Sequence, residues 1–200
     1  GFLRPAVSVK TVLILCAPEL ILSLIATGAT EFTNGYWFFK PSVNAVVMAL
    51  TAGVFEETLF RAVPTFVGMH YLKSESRSFR LAIVLSILFG LSHLANLTGG
   101  SDLYMTILQA VSSAGVGLMF MAIYLRTGSI LPTMFLHALY DWMCFVSDPT
   151  LTDNGLVTGS TSLSAQIVEI ILTVIRIAIA LYMLRKSKWS EINEVWNKKW

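Results

Sequence analysis

The chain has 200 residues, of which 55% are hydrophobic and only 13% are charged. Its mean hydropathy is +0.69. Because an average soluble domain is about 25% charged, this sequence has too few polar residues to cover a water-facing surface. The net charge of +2 is small, and no nucleic-acid partner is expected. The composition therefore predicts one compact integral membrane domain.

Six apolar stretches approach or exceed the roughly 20 residues that a transmembrane helix needs. They cover residues 9–28, 43–72, 80–97, 103–125, 129–147 and 163–184. The second is long enough to tilt or kink, and Pro64 removes one backbone donor near its middle. We therefore predict an all-α polytopic fold, in which about six transmembrane helices enclose a polar site, as a single domain over residues 1–184.

The distribution of lysine and arginine predicts the orientation of these helices, because basic residues concentrate in cytoplasmic loops. They cluster in alternate loops and near both chain ends, at Arg4, Lys10, Lys73, Arg77, Arg80, Arg126, Arg185, Lys186, Lys188, Lys198 and Lys199. The opposite side holds only Lys40, and its loop 148–162 carries Asp148 and Asp153. Both termini are therefore expected in the cytoplasm.

Aromatic residues outside the apolar stretches are typical of membrane interfaces. One group follows the first stretch, at Tyr36, Trp37, Phe38 and Phe39. A basic aromatic tail covers residues 185–200, where Trp189, Ile192, Trp196 and Trp200 recur near helical spacing. This spacing predicts either a short interfacial helix on anionic lipid or a frayed basic end.

Several ionisable side chains fall inside the apolar stretches, where an ionised group at a helix centre costs about 3 kcal/mol even on permissive scales. They are Glu19, Glu56, Glu57, Arg61, Asp141, Glu169 and Arg176, together with His93 and His137. Such groups normally pair with one another or face a polar cavity. Glu19 and Glu169 are expected either to partner Arg176 or to line that cavity.

The string EETLFR places Glu57 four residues before Arg61, on the same helical face and in the favourable order for an ion pair. Glu56 lies about 100° away around the helix, so it cannot make the same contact with Arg61. One acid is then ion-paired, while the other is left in a less polar setting that suits proton transfer. The alternative is a purely structural clamp between helices.

Two further strings add histidines on later stretches. His93 ends the string FGLSH, and His137 precedes Asp141 by four residues in HALYD, so that imidazole and carboxylate share a face. Either histidine could be a hydrogen-bonded core residue. Polar groups on three different helices, however, can converge only on one interior site, and this favours a chemical role.

Together these strings resemble the signature of the CAAX-protease and bacteriocin-processing (CPBP, or Abi) family of intramembrane peptidases. The pattern is EExxxR, FxxxH and HxxxN/D on successive hydrophobic helices, and here it spans residues 56–141. The resemblance implies an all-helical membrane fold that hydrolyses a peptide bond within or near the bilayer. The implied substrate is a peptide or a lipidated, for instance prenylated, protein in the membrane.

The resemblance also implies roles for individual residues. Glu56 would activate water while His93 holds or deprotonates it, and Glu57 and Arg61 would orient the site. His137 and the residue at position 141 would stabilise the oxyanion. Because the family often has Asn there, and Asp141 can donate a hydrogen bond only when protonated, Asp141 is expected to hold His137 instead.

Two schemes for activating water stay open. In one, Glu56, His93 and His137 bind Zn²⁺ or another divalent metal and leave a position for water. In the other, Glu56 and His93 activate water without a metal. Chelator sensitivity would separate these two schemes.

The resemblance favours an active intramembrane endopeptidase in a prokaryotic plasma membrane. One alternative is a non-catalytic scaffold or bacteriocin-immunity protein that binds a membrane partner through the same polar cavity. A small transporter or proton pathway is a third possibility, but no inverted repeat supports it.

Overall fold

A computed structural model describes residues 2–34, 39–72, 74–148, 151, 156–157 and 159–199. Its α-helices are α1 (Val9–Asn34), α2 (Val43–Glu57), α3 (Val63–Leu72), α4 (Glu75–Ser92), α5 (Leu103–Thr127), α6 (Leu131–Ser147), α7 (Leu163–Met183) and α8 (Trp189–Asn197). A π-helical turn, Thr58–Ala62, joins α2 to α3, and 3₁₀ turns cover His93–Gly99 and Lys186–Lys188. The predictions made for Tyr36, Trp37, Phe38, Lys73, Asp153 and Trp200 lie outside the described residues.

Among the described residues, five helical stretches are long and apolar enough to cross a membrane. They are Val9–Phe32, Val43–Leu72, Glu75–Gly99, Leu103–Thr127 and Leu163–Met183. The predicted all-α polytopic membrane fold is therefore confirmed.

The fifth predicted span, residues 129–147, is slightly shorter than expected. It forms α6, whose 17 residues reach about 26 Å at 1.5 Å per residue, less than the roughly 30 Å of a bilayer core. The helix begins late because Gly128 (φ 68°) ends α5 in the left-handed conformation and Pro132 lies in the first turn of α6. In the described part of the chain, the prediction of about six membrane helices thus corresponds to five long apolar stretches and this shorter helix.

The long second span is irregular in its middle, next to Pro64. Within the π-helical turn, the Val63 N–H group donates to the Thr58 carbonyl, five residues back. Proline cannot donate, and its ring crowds the carbonyl four residues earlier, so a locally wider turn accommodates it. Such single π turns occur often at functional sites, and this one contains Arg61.

The helix α5 forms the centre of the bundle, packed between α4 and α7, while α2 packs on α6 and α1 on α7. The α2–α6 contact depends on Gly53, because a Cβ atom there would lie 2.7 Å from the Met134 carbonyl oxygen. The α4–α5 contact depends likewise on Gly90, where a Cβ atom would collide with the Ala110 carbonyl oxygen. Close backbone approach at small residues is a common means of packing membrane helices.

The tail does form a helix, α8, but its apolar side does not face lipid. Trp189, Ile192, Val195 and Trp196 are buried in the same hydrophobic core as the end of α5. The Trp196 indole donates to the Leu125 carbonyl over 3.0 Å. The lipid-facing helix and the frayed end are both wrong here, because the protein itself supplies the apolar surface that α8 covers.

The two ends of the chain meet at one end of the bundle. The Ala6 N–H group donates to the Thr127 carbonyl over 2.9 Å, and the Lys199 ammonium donates to the Arg4 carbonyl. Arg126 reaches Glu191 of α8 over 2.8 Å. Both termini therefore lie on the same side, as predicted, and the cytoplasmic identity of that side stays a prediction.

Candidate active site

The two adjacent glutamates of the second span have different surroundings. Glu57 is fully buried and forms an ion pair with Arg61, whose side chain is 1% exposed, so the predicted pairing is confirmed. The Glu56 side chain is 32% exposed and lines a cavity. One carboxylate is therefore held by a buried cation, and the other is open to a ligand.

The Arg61 guanidinium lies on aromatic rings. Its central carbon is 3.9 Å from the centre of the Phe89 ring and 5.5 Å from that of Phe120. Gly117 makes room for it, since a Cβ atom there would lie 3.0 Å from Nη2. The faces of aromatic rings attract cations, and more strongly where water is excluded. Phe89 and Glu57 together fix the position of Arg61.

His137 is 5% exposed and lies among three carboxyl groups. Its Nδ1 is 2.8 Å from Glu57 Oε1, and its Nε2 is 3.5 Å from Asp141 Oδ2 and 3.8 Å from Glu56 Oε2. Because the Arg61-paired Glu57 carboxylate accepts, Nδ1–H donates to it. The Nε2 atom is thereby directed toward Glu56 and Asp141.

His93 lies at the junction of α4 and the following 3₁₀ turn. Its Nδ1 is 3.1 Å from the Phe89 carbonyl oxygen, which can only accept, so Nδ1 carries a proton. In a neutral ring Nε2 is then an acceptor, and it lies 3.4 Å from Ser113 Oγ on α5. This tautomer suits a group that holds or deprotonates water.

Phe89 connects these groups. Its ring meets the ring of His93 edge-on with centroids 5.1 Å apart, and that of His137 with centroids 5.8 Å apart. One side chain therefore contacts both imidazoles and the Arg61 guanidinium. Phe89 is the phenylalanine of the FxxxH pattern, but its contacts with Arg61 and His137 could not be read from that pattern. Phe120 and Ser113 were missed, because in the sequence they resemble other residues of apolar helices.

A cavity of about 370 Å³ collects the polar groups, which is within the usual size range for ligand sites. Of the residues predicted for the site, Glu56, His93, His137 and Asp141 line it. Glu57 and Arg61 are buried behind it. The cavity also has neutral polar walls, formed by Asn96, Ser112, Ser113, Gln109 and Gln166.

The predicted metal ligands, Glu56, His93 and His137, are not assembled as a ligand group. Within the part of the chain that the structure describes, no group of three His, Cys, Asp or Glu side chains is arranged to hold a metal ion. The hydrogen-bond partner of His93 Nε2 is a hydroxyl, that of Ser113 at 3.4 Å. This arrangement does not fit the predicted zinc site.

A second buried ion cluster lies between α1 and α7. Arg176 Nε is 3.2 Å from Glu19 Oε1, and Arg176 Nη1 is 3.4 Å from Glu169 Oε1. Ser23 also donates to Glu19 over 3.0 Å. Glu169 in addition lines the cavity, so for this residue both expected positions are found.

One family model matches the part of the chain in which the three motif strings lie. The model described as Type II CAAX prenyl endopeptidase Rce1-like matches residues 36–143, slightly more than half of the chain. The matched range contains all six residues predicted for the site, whereas Glu19, Glu169, Arg176 and α8 lie outside it. Comparisons with curated proteins and with solved structures found no match.

Proposed function

This chain belongs to the Type II CAAX prenyl endopeptidase Rce1-like family, and from that premise we propose that it hydrolyses a peptide bond of a membrane-associated substrate with a water activated by Glu56 and His93. The family match supports a protease-type enzyme, and the five apolar helical stretches of the described residues support an integral membrane protein. The catalytic residues and the order of the reaction steps are part of our proposal.

The observation that carries this proposal is the meeting of three chain segments at one cavity. Glu56 comes from α2, His93 from the end of α4, and His137 with Asp141 from α6. Glu56 and His137 are 3.8 Å apart at their nearest charged atoms. His93 lines the same cavity, and the proposal is that one water molecule and one peptide carbonyl bind between these groups.

In the proposed reaction, Glu56 and the unprotonated Nε2 of His93 hold a water molecule. As its oxygen attacks the carbonyl carbon, one water proton passes to this pair. The tetrahedral intermediate collapses with cleavage of the C–N bond, and the same proton is delivered to the leaving amine. A positioned base of this kind contributes about 10²–10⁴-fold to the rate.

The negative charge that develops on the carbonyl oxygen needs a hydrogen-bond donor. With Nδ1–H donated to Glu57, His137 in its protonated form presents Nε2–H toward the cavity. One such donor contributes about 10²–10³-fold. Asp141, 3.5 Å from the same nitrogen, would keep the imidazole in place rather than donate to the oxyanion.

Glu57 and Arg61 serve this reaction without touching the substrate. Glu57 accepts from His137 on one side and pairs with Arg61 on the other. Arg61 in turn lies on the Phe89 ring. The three residues would hold the oxyanion donor in one orientation, and a preorganised donor is the main requirement of such a site.

The experiment is cleavage of a fluorogenic, internally quenched peptide by the purified protein in lipid nanodiscs. An S-farnesylated peptide is compared with the same peptide lacking the lipid, and the products are identified by mass spectrometry. The proposal expects a single internal cut in the lipidated peptide. Binding of that peptide with no cut would contradict hydrolysis and favour the non-catalytic scaffold.

The same assay with a chelator separates the two ways of activating water. The proposed steps use no metal, so 1,10-phenanthroline is expected to leave the rate unchanged. A loss of activity that added Zn²⁺ restores would support the zinc alternative, with the ligand set assembling only in the active protein.

A further inference from the structure

We propose that the cavity selects a peptide segment that carries a lysine or arginine side chain near the cleaved bond, and that Glu169 on α7 is a specificity-determining residue for it. This inference rests on the proposed function, which makes the ligand a peptide. The preference for a basic side chain is inferred from the charges of the side chains that line the cavity and of those buried behind it.

The titratable walls of the cavity are acidic. Four carboxyl side chains line it, those of Glu56, Asp141, Asp148 and Glu169. Among the described residues that line it there is no lysine or arginine, and the only basic groups are His93 and His137.

The sequence of this part of the chain is likewise poor in basic residues. Between Arg80 and Arg176 the chain contains only one lysine or arginine, Arg126. Arg126 lies in the last turn of α5, at the other end of the bundle, bound to Glu191. Residues 149–158 contain no lysine or arginine.

The two buried arginines behind the cavity are already neutralised. Arg61 pairs with Glu57, and Arg176 pairs with Glu19 as well as with Glu169. Both guanidinium side chains are at most 1% exposed. Among the described residues that line the cavity, a ligand carboxylate would thus find no lysine or arginine, and it would face several carboxyl groups.

Among these acids, Glu169 contacts a buried arginine and also faces the cavity. Its Oε1 is 3.4 Å from Arg176 Nη1, yet 22% of its side chain is exposed, and it lines the cavity. It lies outside the range 36–143 that the family model matches. Substrate charge could therefore be selected by a residue that the family pattern does not include.

The remaining walls suit a peptide backbone. The side-chain amide of Asn96 donates to Gln109 over 3.2 Å, and Tyr104 donates to Gln166 over 3.1 Å. Neutral amides can pair with peptide N–H and C=O groups whatever the side chain. Charge selection then falls to the carboxyl groups, since charges of opposite sign attract strongly away from bulk water and like charges disfavour binding.

The test uses three S-farnesylated, internally quenched peptides that differ only in the residue after the lipidated cysteine, which is Lys, Gln or Glu. The wild-type protein in nanodiscs is expected to cleave the Lys peptide with a kcat/KM at least about fivefold above that of the Glu peptide. In Glu169→Gln this ratio is expected to fall toward one. The matched control, Glu194→Gln on the exposed surface of α8, is expected to keep the wild-type ratio.

Equal cleavage of the Lys and Glu peptides by the wild type, or an unchanged ratio in Glu169→Gln, would overturn this inference while leaving the proposed function intact. If none of the peptides is cleaved, the proposed function fails instead. In that case the charge preference is tested separately, by measuring the binding of Lys and Glu peptides whose backbone is N-methylated and therefore resists cleavage. Tighter binding of the Lys version supports it, and equal binding overturns it.

Discussion

His137 Nδ1 lies 2.8 Å from Glu57 Oε1, so a buried carboxylate on α2 orients the imidazole on α6. The same Oε1 atom contacts Arg61. Glu57 thus joins a cation inside its own span to the proposed oxyanion donor on a neighbouring helix. Its removal is expected to affect both stability and catalysis, and the two effects can be separated.

Glu57→Leu is expected to destabilise the protein by about 3–5 kcal/mol, because it leaves Arg61 buried and without its carboxylate partner. The measurement is thermal unfolding in detergent, with peptide cleavage assayed in parallel. The double variant Glu57→Leu/Arg61→Leu should recover most of the stability, since both charges are then gone. It should stay inactive, because His137 has lost its acceptor, and full activity in the double variant would contradict the orienting role.

Phe89→Leu is expected to lower kcat by roughly tenfold or more with little change in KM. The variant keeps an apolar side chain but removes the ring that lies under Arg61 and touches both imidazoles, and a displaced donor or base is costly to the rate. Steady-state kinetics on the lipidated peptide measures this. Leu88→Ala, a change at an exposed neighbour, is the control, and equal kinetics in the two variants would contradict the role of Phe89.

Gly117→Ala is expected to cost about 1–3 kcal/mol and to reduce activity, because its Cβ atom would lie 3.0 Å from Arg61 Nη2 and such overpacking displaces neighbours. Gly28→Ala is the matched control. A Cβ atom at Gly28 meets nothing within 4 Å, and alanine is the better helix former by about 1 kcal/mol. Thermal unfolding of both variants tests this, and equal midpoints would show that Gly117 is not needed for space.

Trp196→Ala is expected to destabilise the protein by about 3–5 kcal/mol, as for other buried aromatic side chains. The effect should be the same in neutral detergent and in bilayers that contain anionic lipid, because Trp196 packs on α5 rather than on lipid. Unfolding midpoints in the two media measure it. Destabilisation that appears only with anionic lipid would restore the lipid-bound interpretation of the tail.

Much of the architecture follows from hydrophobicity alone, because stretches of apolar residues long enough to cross a bilayer have few other stable states in a membrane. The limits of α6 were harder to predict. Gly128 ends α5, and Pro132 lies in the first turn of α6, so that α6 begins only at Leu131. A hydropathy average over many residues is insensitive to two such positions. The π turn before Pro64 was likewise expected only as a kink, since several backbone adjustments can accommodate a proline.

In the candidate site, contacts within one helix could be predicted, whereas contacts between helices could not. The Glu57–Arg61 pair is set by spacing within one helix and could be predicted. The contacts of Phe89 and Ser113 depend on how α4 crosses its neighbours, which the sequence does not reveal. The prediction for the tail was wrong for a related reason. Trp189 and Trp196 form an apolar face that could pack against lipid or against protein, and only the fold decides which one covers it.

Glu56 is proposed to activate water in a site that stays folded without its carboxylate. This role is tested by kcat for the lipidated peptide in Glu56→Gln, with thermal unfolding and nanodisc insertion measured on the same preparation. We expect a loss of at least about 10²-fold with an unchanged unfolding midpoint. Cleavage at the wild-type rate by folded Glu56→Gln would contradict it.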